Sequence, residues 1–370
     1  MGTTLKVNIA RHEVNSLTAF DSGKPMEEIK SEYGLDEIIR LAFNENPLGT
    51  SPKAAEAMKR AVDDIYMYPE GSSIMLRRKV AANFGINEDM VIFGNGADNI
   101  LLLIAQAFVN EGEEIIIGDP TFSVYETVCT IMGGTIVKVP LKDFTYDLTA
   151  IFQKITEKTK LIFICNPNNP TGTIVTEEQV ARFMEGVPSR CVVIFDEAYA
   201  EFAGGRNYPR TISYVHEKRN VLMIRTLSKV FGLAGARVGY AIGPKHLMDI
   251  MRKVVEPFPV NRLAQAGALA ALDDYEFLKK VLDNTEKSKQ FLYQEFTKLG
   301  MSYIPSFTNF IFVNLGMDAR TVAKKLLEQG IIISPGSTWD LPEYARITIG
   351  KQEQNEKLIT ALTQIKTSLA

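Results

Sequence analysis

Seven short apolar runs recur between residues 89 and 243, and they limit what this chain can fold into more than any other feature. They cover residues 90–93, 114–117, 135–139, 161–165, 192–195, 222–225 and 238–242. Several are apolar at nearly every position, the pattern of strands buried on both faces of a mostly parallel sheet. Helical signals separate them. Residues 98–110 read as a helix closing in a Glu-Gly turn, and Thr176-Glu177-Glu178-Gln179 reads as a capped helix start. The alternation predicts an α/β fold: a large domain with a mostly parallel seven-stranded sheet.

After residue 257 the character changes. Residues 261–272 are Ala-rich and 274–299 form a long charged helix. Strands are expected at 310–313, 331–333 and 346–349, and a closing helix at 352–369. This predicts a smaller α+β domain. The expected division is 45–257 for the large domain, with 1–44 and 258–370 in the small one.

With 46% hydrophobic and 23% charged residues and a formal net charge of −3, the chain offers no basic surface for nucleic acid or an anionic membrane. No apolar stretch reaches the roughly 18 residues of a membrane span, and residues 1–11 lack the apolar core of a signal peptide. A cytoplasmic protein is expected. Cys129, Cys165 and Cys191 lie far apart and read as buried thiols. His12, His216 and His246 form no metal-binding spacing, and G-x-S-x-G is absent, so a metal centre or a serine hydrolase is not expected.

The chemistry-bearing motifs sit in the turns after the apolar runs. In Thr226-Leu227-Ser228-Lys229-Val230-Phe231-Gly232, one lysine lies between a strand and a small-residue turn. Stripped of water, its amine has a lowered pKa and can attack a carbonyl. Arg237, eight positions on, can hold a phosphate or carboxylate. A phosphorylated carbonyl compound held by lysine as a Schiff base describes pyridoxal phosphate. A lone lysine is ordinarily just solvated, so the other motifs decide. Gly94-Asn95-Gly96-Ala97-Asp98-Asn99 joins a strand to a helix and suits an anion. Asn99 breaks the dinucleotide pattern G-x-G-x-x-G, which weighs against a nucleotide-dependent oxidoreductase. Asp196, in Asp196-Glu197-Ala198-Tyr199, is a carboxylate ending an apolar strand; burial there calls for a cation, which a protonated pyridine nitrogen supplies. Tyr199 is placed to reach a ring oxygen. The turn Asn166-Pro167-Asn168-Asn169-Pro170-Thr171-Gly172 offers amides to a planar ligand, and an aromatic in Pro120-Thr121-Phe122-Ser123-Val124-Tyr125 can stack on it. Arg346, opening a strand of the small domain, can fork onto a carboxylate. The tyrosines of Tyr66-Met67-Tyr68-Pro69-Glu70-Gly71 suggest an interface or a lid.

Taken in order with Asn44-Glu45-Asn46-Pro47, these motifs resemble the fold-type I, pyridoxal-phosphate-dependent class II aminotransferases, and within them the histidinol-phosphate aminotransferases. The resemblance spans nearly the whole chain. It implies that Lys229 carries the cofactor and moves the proton, that Asp196 pairs with the ring nitrogen, and that Tyr199 and Asn169 bond the ring oxygen. It implies Phe122 on the ring face and Ala97, Asp98, Ser228 and Arg237 around the phosphate. Tyr68 would reach that phosphate from the second subunit of a homodimer. Arg346, with Asn44 and Phe20, would bind substrate: L-histidinol phosphate against 2-oxoglutarate, giving imidazole acetol phosphate and L-glutamate in histidine biosynthesis. Two positions depart from the group. Ser334 stands where a second arginine is usual, and Ala19-Phe20 where Pro-Tyr is usual. An aromatic amino acid aminotransferase and a decarboxylase on the same fold are the alternatives.

Overall fold

The computed structural model describes residues 10–19, 23–205 and 207–369. Its strands are β1 (Ile39–Arg40), β2 (Val91–Asn95), β3 (Glu114–Asp119), β4 (Thr135–Pro140), β5 (Thr159–Cys165), β6 (Val192–Asp196), β7 (Val221–Thr226), β8 (Val238–Ile242), β9 (Ser302–Ile304), β10 (Phe310–Asn314), β11 (Ile331–Ile332), β12 (Ser334–Pro335) and β13 (Tyr344–Thr348). All seven apolar runs become strands of one sheet, in the order β2-β8-β7-β6-β5-β3-β4. Pairing is parallel except at β8, which runs against both β2 and β7. The central strands are apolar throughout because helices cover both faces: Leu161–Cys165 and Val192–Phe195 are buried to within a few per cent.

This topology decides where chemistry can occur. Parallel strands point one way, so Asn95, Asp119, Cys165, Asp196 and Thr226 all end at one edge. The reversal of β8 brings its opposite end to the same place: Val238 faces Asn95, and Gly239 faces Thr226. Arg237, just before β8, therefore arrives at the edge that the other strands leave.

A second core is separate. β12-β13-β10-β9 form an antiparallel sheet, and β1 pairs with β11 in parallel. Their inner faces, including Ile311, Val313 and Ile347, pack with Leu292 and Phe296 of helix Tyr275–Lys298, Leu326 of Ala319–Leu327 and Leu358 of Gln352–Leu369. The pairing of β1 with β11 ties the segment before Asn44 to this unit. The Ala-rich helix Arg262–Ala271 lies past residue 257, yet its small-residue face (Ala264, Ala268, Ala271) is part of the larger core and packs on helix Pro52–Ala61. Short side chains let the two helices approach closely: a Cβ on Gly267 would come within 2.7 Å of Met58.

Local signals hold in detail. Thr176 and Gln179 form a reciprocal capping box on helix Glu177–Gly186, which satisfies two amides at its start. The three cysteines are buried, and burial pushes the Cys129 and Cys165 thiols up to about 12. Among the described residues no helix is long and apolar enough to cross a membrane, and no group of three or more His, Cys, Asp or Glu could hold a metal.

Candidate active site

Asp196 is the last residue of β6 and is buried. Tyr125 donates its hydroxyl proton to Asp196 Oδ2 at 2.7 Å, and the Ala198 amide donates to Oδ1 at 3.1 Å. The short helix that follows, Ala200–Ala203, is entered through Tyr199, so Asp196 is not its cap. Among the described residues both recorded donors to Asp196 are neutral, and burial pushes its carboxyl up to about 6. Tyr125 is itself fully buried on helix Val124–Ile131 and stacks on Phe163 at 4.7 Å.

Lys229 lies three residues beyond β7. Its Nζ donates to the Phe43 carbonyl at 3.1 Å and stands 5.7 Å from the Tyr199 ring centre. Burial, then the positive charge of Arg346, lowers its pKa to about 8. The loop behind it is held close: Gly232 has φ 67°, and a Cβ there would lie 2.0 Å from the Gly49 carbonyl oxygen. Val230, next to the lysine, is buried against Phe277 and Val281.

Ala97 and Asp98 open a 12-residue helix after Gly96. Arg237, at φ 55°, pairs with Asp98 at 3.1 Å and lies against Gly96, where a Cβ would meet its guanidinium at 2.6 Å. Gly239 lets β8 touch this turn, since a Cβ there would stand 2.4 Å from the Ala97 amide nitrogen. Ser228 is buried beside Thr226, whose hydroxyl donates to it at 3.0 Å. The amides of the helix start, a hydroxyl and a guanidinium thus lie close together, groups that suit a dianion.

Tyr199 is buried, and burial raises its phenol well above the usual range. It accepts a hydrogen bond from Asn44 Nδ2 at 2.9 Å. Asn44, at φ 56°, is fixed by Thr348 and Asn309: its amide donates to Thr348 Oγ1 and its carbonyl accepts from Asn309 Nδ2, both at 2.9 Å. Arg346, on β13, donates from Nη1 to Asn169 Oδ1 at 2.6 Å. Its Nη2 donates to the Ala42 carbonyl at 2.6 Å and to Ser334 Oγ at 3.2 Å, and its buried Nε has no partner among the described residues. Phe122 is partly buried, edge-on to Tyr125.

Thus Lys229 and Arg346 are linked through the adjoining Phe43 and Ala42 carbonyls, Arg346 holds Asn169, and Asn44 holds Tyr199, whose ring faces the Lys229 amine; Asp196 is held separately by Tyr125. Ala97, Asp98, Ser228 and Arg237 gather beside them. Tyr68 is apart: it is 78% exposed and stacks on Phe258 at 4.7 Å. Phe20 lies outside the described residues. Sequence reasoning quoted Tyr125 only as an aromatic of the Phe122 motif and missed its bond to Asp196, and it missed the carbonyls of Ala42 and Phe43, which carry no side-chain signal. It also assigned no chemistry to residues 203–208, where the Tyr208 hydroxyl bonds the Asn166 carbonyl and props the Asn-Pro turn. Beneath the site Glu197 and Glu201 clasp Arg225, at 2.6 and 2.9 Å.

Comparison with known proteins is consistent along the chain. The family described as aminotransferase class I and II matches residues 36–362. The chain is 42% identical to histidinol-phosphate aminotransferase of Moorella thermoacetica over 356 residues, 96% of this chain and 92% of that one. It is 43% identical to the Brevibacillus brevis protein of that name over 358 residues, 96% and 98% of the two. The crystal structure of histidinol-phosphate aminotransferase from Sinorhizobium meliloti in complex with pyridoxal-5'-phosphate matches over the whole of both chains, with TM-score 0.91 at 27% identity.

Proposed function

We propose that this chain, which belongs to the class I and II aminotransferases, depends on pyridoxal phosphate and moves the amino group of L-histidinol phosphate to 2-oxoglutarate, yielding imidazole acetol phosphate and L-glutamate in histidine biosynthesis. The names of its relatives support this reading. The observation that carries it is the buried Lys229 amine, held by the Phe43 carbonyl next to the one that holds Arg346, and set at the same sheet edge as the buried Asp196.

The residues present fit the cofactor. Asp196 is a buried carboxylate whose donors are both neutral, and a ring N–H⁺ would complete it. The Gly96–Arg237–Ser228 cradle fits a phosphate dianion. Bound there, the cofactor supplies a carbonyl for amine exchange and a ring that draws electrons from the substrate's α-carbon. Ala97 and Asp98 amides, Ser228 and Arg237 would hold its phosphate, and Phe122 would lie on its ring face. Asn44 donates to Tyr199 Oη, which leaves the phenol's own proton free to bond the ring oxygen. Asn169, with its Oδ1 occupied by Arg346, would turn its amide Nδ2 to the same oxygen. Lys229 Nζ would hold the cofactor at rest and, when released, take the α-carbon proton, a task suited to an amine with a pKa near 8. Arg346 would hold the anionic group next to that carbon: the carboxylate of glutamate or the phosphate of histidinol phosphate.

The working form is a cytoplasmic homodimer in which the partner subunit's Tyr68 reaches the phosphate. Supporting this, Ile65, Tyr66, Tyr68 and Met75 are more than half exposed, while the loop's backbone is pinned: Arg262 donates to the Tyr68 carbonyl at 2.7 Å and Gln265 to that of Glu70 at 2.8 Å. Ordered, exposed aromatics suit a two-fold contact. The test is glutamate formation from L-histidinol phosphate and 2-oxoglutarate by purified protein with bound cofactor. Turnover is expected; none, with the cofactor's visible absorbance present, would sink the assignment.

A further inference from the structure

The sequence holds one tryptophan, Trp339, and the fold brings it to the substrate side of the site. It ends the turn Gly336–Trp339 after β12. The turn is built to a fixed shape. A Cβ on Gly336 would lie 2.5 Å from the carbonyl oxygens of both Leu341 and Tyr344, and Arg320 Nε donates to Ser337 Oγ at 2.7 Å. The indole packs edge-on against Phe312 (5.9 Å, 85°), which itself stacks on Tyr344 at 4.9 Å. The guanidinium of Arg346 lies 5.3 Å from the indole centre and 5.7 Å from that of Phe310.

An arginine among aromatic rings is pre-oriented, so an anion must approach in the plane of its fork. Phe310 is wholly buried, whereas Trp339 keeps part of its surface open. Of the two rings that flank Arg346, Trp339 is therefore the one that an incoming molecule can touch. Ser334, the other near neighbour of Arg346, brings no charge: its hydroxyl is spent on the Ala42 carbonyl at 2.8 Å. Phe43, 42% exposed, stands beside the Lys229 amine that its carbonyl holds, with the Arg40 guanidinium 5.5 Å from its ring centre and paired to Glu45. Beside Arg346 itself, the partly open ring is the Trp339 indole.

We propose that Trp339 is a specificity-determining residue, which favours amino donors carrying a planar ring, imidazole or phenyl, over donors whose side chain ends in a second carboxylate. This rests on the aminotransferase reading of the site. The ring lies against the indole while Arg346 holds the anionic group, and a distal carboxylate gains nothing from the indole.

The experiment compares kcat/KM for L-histidinol phosphate, phenylalanine and aspartate in the unmodified holoenzyme, Trp339→Leu and Trp339→Phe. Trp339→Leu is expected to lower the two ring-bearing donors about 10-fold more than aspartate, and Trp339→Phe to restore most of that difference. A second readout needs no turnover: the sole tryptophan's emission in the unmodified holoenzyme should shift with phenylpyruvate and less with oxaloacetate. An equal loss on all three donors in Trp339→Leu, or emission unmoved by phenylpyruvate at concentrations that saturate turnover, overturns the proposal. Absence of transamination from every donor by the unmodified protein would instead remove the reading beneath it, and this inference with it.

Discussion

The two sides of the site are built differently. On the side proposed for the cofactor, Asp196 ends β6, Lys229 follows β7, Ala97 follows β2 and Arg237 precedes β8, each within a few residues of a strand end of one sheet. On the substrate side, Arg346 is assembled with segments far away in the chain. Its partners are Ala42, Asn169 and Ser334, and Trp339 lies against it. A parallel sheet aligns its strand ends as a consequence of its topology, so the first set is positioned by the whole larger core. The second set depends on a few contacts between short segments, any of which can change without disturbing the sheet. Chemistry is thereby held rigid while recognition is left adjustable.

The strongest way to break this comparison is at the rigid side. Lys229→Ala should leave the fold intact and cut turnover by about 10⁴-fold or more, the scale set by removal of a covalent catalyst. Borohydride reduction of the unmodified enzyme followed by peptide mapping should place the cofactor on Lys229, and label on any other lysine would refute the assignment. Asp196→Asn comes next. It leaves the cofactor's ring cation facing a neutral amide, and breaking a buried pair costs about 3–5 kcal/mol, or roughly 150- to 5,000-fold in kcat. An Asp196→Asn enzyme within a factor of two of the parent would show that the carboxylate does not serve the ring.

The same side carries a pH signature. The Lys229 pKa is lowered to about 8 because burial and Arg346 disfavour its charged form. Below that value the amine is protonated and has no lone pair to attack a carbonyl; above it the amine is free. The rate at which cofactor-stripped protein recaptures pyridoxal phosphate should therefore rise with pH and level off just above 8. At pH 7 about one amine in ten would be neutral, against about one in 3,000 for an unperturbed lysine. Stopped-flow absorbance across pH 6–10 reads this directly, and a rate still climbing steeply at pH 10 would mean an ordinary lysine.

The contrast also explains what could be read from the sequence. The inner strands and the residues at their ends were legible because burial on both faces leaves a nearly unbroken apolar run, and the turns that follow must then carry the polar groups. Lys229, Asp196 and the Gly94–Asp98 turn announce themselves in this way. Tyr125 did not, because a tyrosine in an apolar helix reads as core until its hydroxyl is found on Asp196. The carbonyls of Ala42 and Phe43 have no residue-type signature at all. Trp339 has one, but its meaning depends on the pairing of β12 with β13, which sets Ser334 opposite Arg346. A two-residue strand such as β12 gives too weak a periodicity to fix that register.

The adjustable side should respond in selectivity rather than in chemistry. Ser334 contributes one neutral contact to Arg346. Ser334→Arg would set a second cation beside it, adding a charge-assisted bond to a phosphate worth about 1.5–3 kcal/mol if desolvated. The expected gain in kcat/KM for L-histidinol phosphate is roughly 10- to 150-fold, with no gain for phenylalanine, whose single carboxylate Arg346 already serves. Equal gains on both donors would mean that the new arginine improves the site generally and does not distinguish the anions.

The smallest effect lies where the two sides meet across the proposed subunit boundary. Tyr68 is 78% exposed within one chain and its ring is already ordered on Phe258, so its hydroxyl has little to do there. If the partner's Tyr68 donates to the cofactor phosphate, Tyr68→Phe removes one hydrogen bond and leaves the stacking surface. The loss is about 1 kcal/mol, or roughly a fivefold weaker hold on pyridoxal phosphate, with the dimer preserved. Equilibrium dialysis of the cofactor and light scattering of the same samples separate the two quantities. Unchanged retention in an intact dimer would confine Tyr68 to the interface, whereas an unmodified protein that is monomeric and fully active at nanomolar concentration would show that each chain completes its own site.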